Sequence, residues 1–346
     1  MGNCLSHALL DDDATIELLG IDNFSRSGSH VNIEPLRGRG VKLLHGDVRC
    51  SSDLEFITDL DWIIDAAANP SVLAGVDGVT SSRQVVENNL YGTINLLELA
   101  KRSRAGFILM STSRVYSLKQ LAGLPMIIER AAFQLNPSVP LPIGVSVEGV
   151  TEQFSTHPPL SLYGCTKIAS EVLALEYEQA FEIPTWINRC GVLAGAGQFG
   201  RPDQGIFAYW INAYLRRAKL RYIGFGGSGH QTRDCLHPRD LVPLLRQQMS
   251  YSGNDKPRIM NLGGGASNSM SLAQLSEWCA QRFGAHVVEH DGDGRQFDVP
   301  WLILDSRLAH DTWSWRPVTT IKSILEEIAQ HAEAHPNWLE LSSAQA

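Results

Sequence analysis

The chain has 346 residues, of which 44% are hydrophobic and 19% are charged, a composition typical of a folded protein with a sizeable core and not of a disordered chain. Its formal net charge of -8 gives no basic footprint for nucleic acid, although a local group of arginines can still bind an anion on an acidic protein. No apolar run is long enough to span a bilayer, so we expect no membrane partner, and the charge gives us no reason to expect a nucleic-acid partner. The six cysteines are scattered and include no CxxC pair, which favours a cytoplasmic protein with reduced thiols.

The first half of the chain alternates short apolar segments with longer amphipathic ones. We predict strands at 15–22, 41–45, 62–67, 106–111 and 185–189. Helices are predicted between them, notably at 82–103 and 162–181. This alternation is typical of an α/β fold in which helices cover both faces of a parallel sheet.

The second half is more mixed. Helical patterns recur at 205–217, 239–249, 271–283 and 320–334, and strand-like pieces at 221–225 and 259–262 separate them. Residues 118–159 hold many prolines and little periodicity, which predicts a long loop of the kind that is usually functional or mobile. Trp313 and Trp315 are expected to anchor the C-terminal part by burial. His331 and His335 have helical spacing but do not form HExxH, so no metal site is predicted.

The first candidate for ligand binding closes the strand predicted at 15–22. An acidic residue there, Asp22, can accept hydrogen bonds from the adenine-side ribose hydroxyls of a dinucleotide and repel a 2′-phosphate. That favours NAD over NADP, although Arg26 would favour the opposite choice. A helix-capping aspartate in a loop is the alternative explanation of Asp22.

The segment MSTSRVY at 110–116 directly follows the strand predicted at 106–111. It places hydroxyl groups at the carboxyl end of a parallel strand, where open α/β sheets bind their ligands. An ordinary turn at a strand end is the alternative.

Tyr163 and Lys167 open the helix predicted at 162–181, and their spacing of four places them on one face. A tyrosine ionises near pH ~10, and a neighbouring ammonium is expected to lower its pKa. Tyr163 would then take or return a hydroxyl proton while hydride leaves the same carbon. A YxxxK pair alone is a weak signal, and it gains weight from the hydroxyl-rich strand end upstream.

Taken in order, these segments resemble the extended short-chain dehydrogenase/reductase family of NAD-dependent epimerases and dehydratases over almost the whole chain. The matching segments are Asp22, HGDV at 45–48, DAAA at 65–68, NLYGT at 89–93, STSRVY at 111–116 and 163–167. Within that family, the segments at 195–205, 229–240 and 261–272 most resemble the CDP-tyvelose (CDP-paratose) 2-epimerases.

The resemblance implies a Rossmann-type, doubly wound NAD-binding domain in residues 1–190. A smaller C-terminal α/β domain that binds a nucleotide-sugar substrate would follow in residues 191–346. The function implied is epimerisation by transient oxidation to a keto-sugar. A UDP-sugar 4-epimerase or a nucleotide-sugar reductase of the same fold is the alternative. Family members also lead us to expect a homo-oligomer that associates through the helices at 82–103 and 162–181.

The resemblance also implies roles for single residues. Thr112 would hydrogen-bond the sugar hydroxyl, Tyr163 would be the acid/base, and Lys167 would hold the nicotinamide ribose and tune Tyr163. The other cofactor contacts would come from Gly2, Asp22, Asn23, Asp47, Val48, Ala66, Ala67, Ala68, Asn89 and Cys190. The substrate diphosphate would be bound by Gln204, Arg233 and Arg295.

Arginine suits that last role because its planar fork binds phosphate oxygens bidentately. A structural ion pair between Arg233 and Asp234 is the alternative for that arginine.

Two departures from the family pattern matter. Sugar-nucleotide 4,6-dehydratases of the family carry Asp-Glu after the catalytic threonine, and Ser113 and Arg114 stand there instead, so we expect no dehydration. The family also begins with a strand and a GxxGxxG turn, of which only the third glycine is matched, by Gly2. We expect the strand and the first two glycines to lie upstream of this start, and a truncated, non-catalytic nucleotide-binding remnant is the alternative.

Overall fold

The computed structural model describes residues 1–343. Within them, the strands are β1 (Leu19–Asp22), β2 (Lys42–His45), β3 (Trp62–Asp65), β4 (Gly106–Thr112), β5 (Met126–Glu129), β6 (Ala132–Leu135), β7 (Val145–Ser146), β8 (Gly149–Val150), β9 (Thr185–Cys190), β10 (Val192–Leu193), β11 (Leu220–Ile223), β12 (Thr232–Leu236), β13 (Ile259–Leu262), β14 (Ser269–Ser271), β15 (Val288–Asp291) and β16 (Trp301–Leu302).

The α-helices are α1 (Gly2–Asp12), α2 (Ile33–Gly38), α3 (Ser82–Val86), α4 (Gly92–Ser103), α5 (Leu118–Ala122), α6 (Leu162–Phe181), α7 (Ile206–Leu215), α8 (Val242–Ser250), α9 (Leu272–Phe283), α10 (Arg307–Trp313), α11 (Ile321–Ala334) and α12 (Trp338–Ser343). A π-helical turn, Glu87–Tyr91, joins α3 to α4. Among the residues described, no helix combines the length and apolarity needed to cross a membrane. All six cysteines are free thiols.

The central sheet is parallel and has the strand order β13-β9-β4-β3. Both faces of β4 are buried, because Phe107 and Leu109 pack beneath α4 and α6 while Ile108 and Met110 pack beneath α1 and α8. A strand buried on both faces reads as a continuous apolar run, which is why the sequence predicted it correctly. The doubly wound α/β fold is thereby confirmed.

Strands β1 and β2 form a separate parallel pair. The free edge of β1 and the free edge of β3 border the same cleft, and no strand of residues 1–343 lies between them. Leu19 and Ile21 line this cleft from one side, and Trp62 and Ile64 line it from the other. Within the described residues, the parallel sheet is therefore interrupted between β1 and β3.

The segment at 118–159 is more ordered than predicted. It contains α5, an antiparallel hairpin of β5 and β6, and a shorter hairpin of β7 and β8. The turn between β5 and β6 is made by Arg130 and Ala131, both in the left-handed region with φ of 48° and 58°. Such turns usually carry glycine or asparagine, so the sequence lacked the signal that would have identified the hairpin.

The C-terminal part is built from β12 with its neighbours β10, β14 and β16, from the pair β11 and β15, and from helices α7, α9 and α11, which share one apolar core. The chain also returns to the central sheet after residue 190 through α8 and β13. Trp313 and Trp315 are buried as predicted, but they pack under the central sheet, where Trp313 meets Trp186 with 5.1 Å between ring centroids.

Candidate active site

Helix α6 is held against the turn that follows β4. Its first turn is capped by Ser161, whose hydroxyl accepts a hydrogen bond from the amide of Gly164 at 3.1 Å. A β-carbon on Gly164 would lie 2.2 Å from the carbonyl oxygen of Arg114, so only glycine permits this approach. The close contact brings Tyr163 to Thr112, the last residue of β4.

Tyr163 is buried, and its phenol lies close enough to the side chain of Thr112 for the two groups to interact. Burial raises the pKa of Tyr163, and the interaction with Thr112 and the charge of Arg114 oppose that rise only in part. The expected lowering of this pKa by Lys167 is therefore wrong for the protein as it stands. The physical reason is that a phenolate loses hydration inside the cleft before any cationic ligand compensates it.

Lys167 lies one turn further along α6 and is 1% exposed. Its ammonium makes no hydrogen bond to a side chain or carbonyl of residues 1–343. Its charge acts on the thiol of Cys190, whose pKa is nevertheless raised to about 12 by burial. An ammonium offers three donors and no acceptor, so this position suits a ligand that supplies hydroxyl or other acceptor oxygens.

The next residue on the same face of α6 is Glu171. It forms a buried ion pair with Arg189 of β9, with 2.6 Å between nitrogen and oxygen, and it accepts a 2.5 Å hydrogen bond from Ser111 of β4. Arg189 also donates to the hydroxyl of Tyr116 at 3.3 Å. The network ties α6 to both central strands directly beneath the site, and the sequence did not reveal it.

The adenosine side is carried by β1 and β2. Asp22 accepts a 2.7 Å hydrogen bond from the amide of Phe24 and lines the cleft. Asn23 donates to Asp47 at 3.0 Å, and Arg49 forms a 2.6 Å ion pair with Asp47 that holds the pKa of this carboxyl well below its usual range. Val48 lines the same wall.

Arg26 does not face Asp22. It donates instead to the carbonyl of Phe199 across the cleft. The guanidinium that would have favoured NADP is thus engaged elsewhere.

Residues Ala66, Ala67 and Ala68 line the cleft beyond β3, and so does Gly2 at the start of α1. A β-carbon on Gly2 would meet no atom within 4 Å, so the N-terminal turn of α1 is open to the cleft. Asn89 is placed differently, because it is fully buried behind this wall. Its side-chain amide accepts a hydrogen bond from the backbone N–H of Asn69 and donates to the carbonyl of Asn69 and to the hydroxyl of Thr166. These bonds hold the segment after β3 against α6.

The predicted substrate residues reach the cleft from the C-terminal part. Gln204, Arg233 and Arg295 all line it. Arg233 pairs with Asp298 at 2.9 Å, not with Asp234. Asp234 is fully buried and receives backbone amides, including that of Leu304 at 3.4 Å, so the alternative of an Arg233–Asp234 ion pair is not what the structure shows.

Loops from both parts meet over the cleft, which has a volume of about 2430 Å³. The hydroxyl of Ser71 donates to Asp203 at 2.5 Å, and Arg201 donates to Ser27 at 3.0 Å. The cleft beneath these contacts is large enough for a dinucleotide together with a nucleotide sugar.

Comparison with known proteins gives a consistent result. The model of the NAD dependent epimerase/dehydratase family matches residues 1–263. CDP-paratose 2-epimerase of Salmonella typhi is 26% identical over 331 residues, which cover 90% of this chain and 91% of that one. UDP-glucuronate 4-epimerase of Thermodesulfobacterium geofontis is 26% identical over 269 residues, 77% of this chain and 71% of that one.

Solved structures show the same fold. UDP-glucuronic acid 4-epimerase from Bacillus cereus, in complex with UDP-glucuronic acid and NAD, superposes with a TM-score of 0.76 at 24% identity and 96% coverage of both chains. UDP-glucose 4-epimerase from Thermus thermophilus, in complex with NAD, gives a TM-score of 0.73 at 20% identity, covering 96% of this chain and 95% of that one.

Proposed function

The chain belongs to the NAD-dependent epimerase/dehydratase family, and from this premise we propose that it is a sugar-nucleotide epimerase that oxidises a sugar hydroxyl and then reduces the ketone from the opposite face. The observation that carries the proposal is that Thr112 and Tyr163 line one cleft at the carboxyl end of β4, close enough to interact, with the buried side chain of Lys167 one helical turn away.

In this mechanism Thr112 and Tyr163 both contact the reacting hydroxyl. Tyr163 takes its proton at the phenol oxygen and later returns it. NAD bound in this cleft would supply the hydride acceptor, and then the hydride donor, for the same carbon. The charge of Arg114 lowers the pKa of Tyr163 and so opposes the effect of burial in part, because a cation close by favours the ionised tyrosine. Lys167 would hold the nicotinamide ribose.

The residues present suit NAD. The carboxylate of Asp22 uses one oxygen for the amide of Phe24, which leaves the other for ribose hydroxyls. The uncommitted ammonium of Lys167 can bind the second ribose. The amides at the start of α1, beside Gly2, face the region between these two residues, and helix N-termini bind phosphates.

Epimerisation is favoured over dehydration by the residues after Thr112. A dehydratase needs an acid and a base to eliminate water, and Ser113 and Arg114 supply no carboxylate there. The likeness to the Salmonella protein over 91% of its length supports a CDP-deoxyhexose and its C2 carbon. The UDP-glucuronate 4-epimerase relative, at the same identity, supports a UDP-sugar 4-epimerase as the second candidate.

The test uses the purified full chain. Denaturation should release about one NAD per chain, because the hydride returns in every cycle and the cofactor has no reason to leave. A Tyr163→Phe variant should keep the NAD and lose epimerisation of CDP- and UDP-sugars. Retention of turnover by this variant would remove Tyr163 from the mechanism, and a chain that neither holds NAD nor binds a nucleotide sugar would favour the non-catalytic remnant.

We also propose that two copies associate through α4 and α6. Tyr91, at the start of α4, and Val172 and Phe181 on α6 expose 53%, 55% and 45% of their surface. The two helices pack against each other, and each of them leaves apolar side chains exposed. A second copy that presents the same surface would cover them in a symmetric interface.

A further inference from the structure

Arg114 lies two residues beyond Thr112, in the turn that follows β4. Its amide donates to the hydroxyl of Thr112 at 3.2 Å, and its carbonyl contacts α6 at Gly164. The backbone of Arg114 is thus fixed to both elements that carry the reacting pair. Its side chain lines the same cleft as Tyr163, and the two groups are close enough for each charge to shift the pKa of the other.

The guanidinium of Arg114 has almost no partner of its own. Among residues 1–343, its one side-chain contact is with the carbonyl of Phe297, at the long distance of 3.5 Å. Arg233, by contrast, donates to Asp298 and to the carbonyls of Val299 and Thr232 at 2.8 to 2.9 Å. Arg233 is therefore held by the protein, while Arg114 has donors to offer.

Arg114, Arg233 and Arg295 share this corner of the cleft, where Asp298 acts on Arg114 and Arg233, and the buried Asp234 acts on Arg233. Asp298 compensates Arg233, and Arg295 reaches only the carbonyl of Pro202, at 3.3 Å. Burial lowers the pKa of Arg114 to about 10, which leaves it charged at neutral pH. Among residues 1–343, neither Arg114 nor Arg295 forms an ion pair, so both guanidinium groups can bind the phosphates of a nucleoside diphosphate ester.

We propose that Arg114 binds the sugar-linked phosphate of the substrate and is the residue that selects which sugar carbon reacts. This inference rests on the proposed function. The sugar-linked phosphate is attached at C1, and C2 is bonded directly to C1, whereas C4 lies across the ring. A phosphate held by Arg114, whose backbone is bonded to Thr112, places C2 and not C4 against Thr112 and Tyr163.

The binding half of the proposal is tested with nucleotides alone. Titration calorimetry compares CDP with CMP, and UDP with UMP, on the full chain. In the wild type the second phosphate should strengthen binding, and Arg114→Gln should reduce that gain by about tenfold or more while the affinity for the monophosphate stays unchanged. Arg114→Lys should restore part of the gain, and the exposed Arg83→Gln serves as the matched control.

An Arg114→Gln variant with an undiminished diphosphate gain would overturn the assignment. A variant that merely misfolded would lose monophosphate binding as well, which separates a structural role from contact with the phosphate. A wild type that binds neither nucleoside diphosphate would instead refute the proposed function.

The selection half is tested with CDP-glucose and UDP-glucose as probes. The wild type should form the C2 epimer, a mannose derivative. Arg114→Gln should raise KM and should release a mixture of C2 and C4 epimers, because the ring is no longer held by its phosphate. Formation of the C4 epimer, a galactose derivative, as the main wild-type product would refute the role in selection even if the binding test succeeded.

Discussion

The buried ion pair of Glu171 and Arg189 lends itself to a quantitative test. In Glu171→Gln the side chain keeps its shape but loses its charge, and Arg189 is left buried without a counter-ion. Their side chains are only 1% and 5% exposed. Breaking such a pair on one side costs about 3–5 kcal/mol of unfolding free energy. Urea denaturation should therefore show a clearly lower midpoint with an unchanged slope.

The same substitution should reduce turnover. Glu171 holds α6 against β4 through Ser111, so its loss loosens the contact of Tyr163 with Thr112. We expect kcat to fall about tenfold or more, with a smaller effect on KM, because the reacting groups and not the nucleotide contacts are displaced.

Glu178→Gln on the same helix is the control. Glu178 pairs with Arg258 at 2.5 Å, but both side chains are about a fifth exposed, so the loss should be about 1 kcal/mol or less, without an effect on kcat. Equal unfolding midpoints of Glu171→Gln and the wild type would refute the energetic argument. A destabilised Glu171→Gln enzyme with full kcat would refute the positioning argument.

Four further substitutions test other features of the structure. Lys167→Met should leave the unfolding free energy unchanged or higher, because a buried ammonium is removed, yet it should abolish retention of NAD measured after denaturation. Gly164→Ala should cost about 1–3 kcal/mol in urea denaturation because the new methyl group meets the carbonyl of Arg114. Burial and the charge of His335 lower the pKa of His331 from 6.5 to about 4, so the unfolded chain takes up this proton at a higher pH than the folded chain does. The free energy of unfolding should therefore fall as the pH drops from 6.5 towards 4. In thermal melts over this range, the Tm of His331→Gln should depend less on pH than the Tm of the wild type. Val172→Glu should convert a dimer into a monomer in light scattering, and an unchanged mass would exclude this interface.

The sequence predicted those features that rest on local pattern. Helix α6 was predicted with its observed bounds. The core of β4 was found because it is a continuous apolar run, and β9 was predicted at 185–189 although its buried residues include Asn188 and Arg189. The proximity of Thr112 and Tyr163 was expected from the family resemblance, and the position of the hydroxyl-rich segment at the end of a parallel strand supported it.

The features that depend on partners distant in the chain were missed. Arg233 pairs with Asp298, 65 residues away, and not with its neighbour Asp234. Glu171 and Arg189 lie on different elements that only tertiary packing brings together. The raised pKa of Tyr163 depends on burial, which a motif does not encode. Arg114 was noted only as a departure from the dehydratase pattern, because its lack of partners is visible only in three dimensions.

The separation of β1 and β2 from the central sheet has a mechanical consequence. The residues suited to one ribose, Asp22 and Asn23, sit on the small pair of strands, whereas Lys167 and Cys190 belong to the large sheet. A dinucleotide that reaches from one to the other would bridge the β1–β2 pair and the central sheet, which share no strand pairing within residues 1–343. Its binding would then stabilise the folded state, so the free energy of unfolding should increase as the ligand concentration rises.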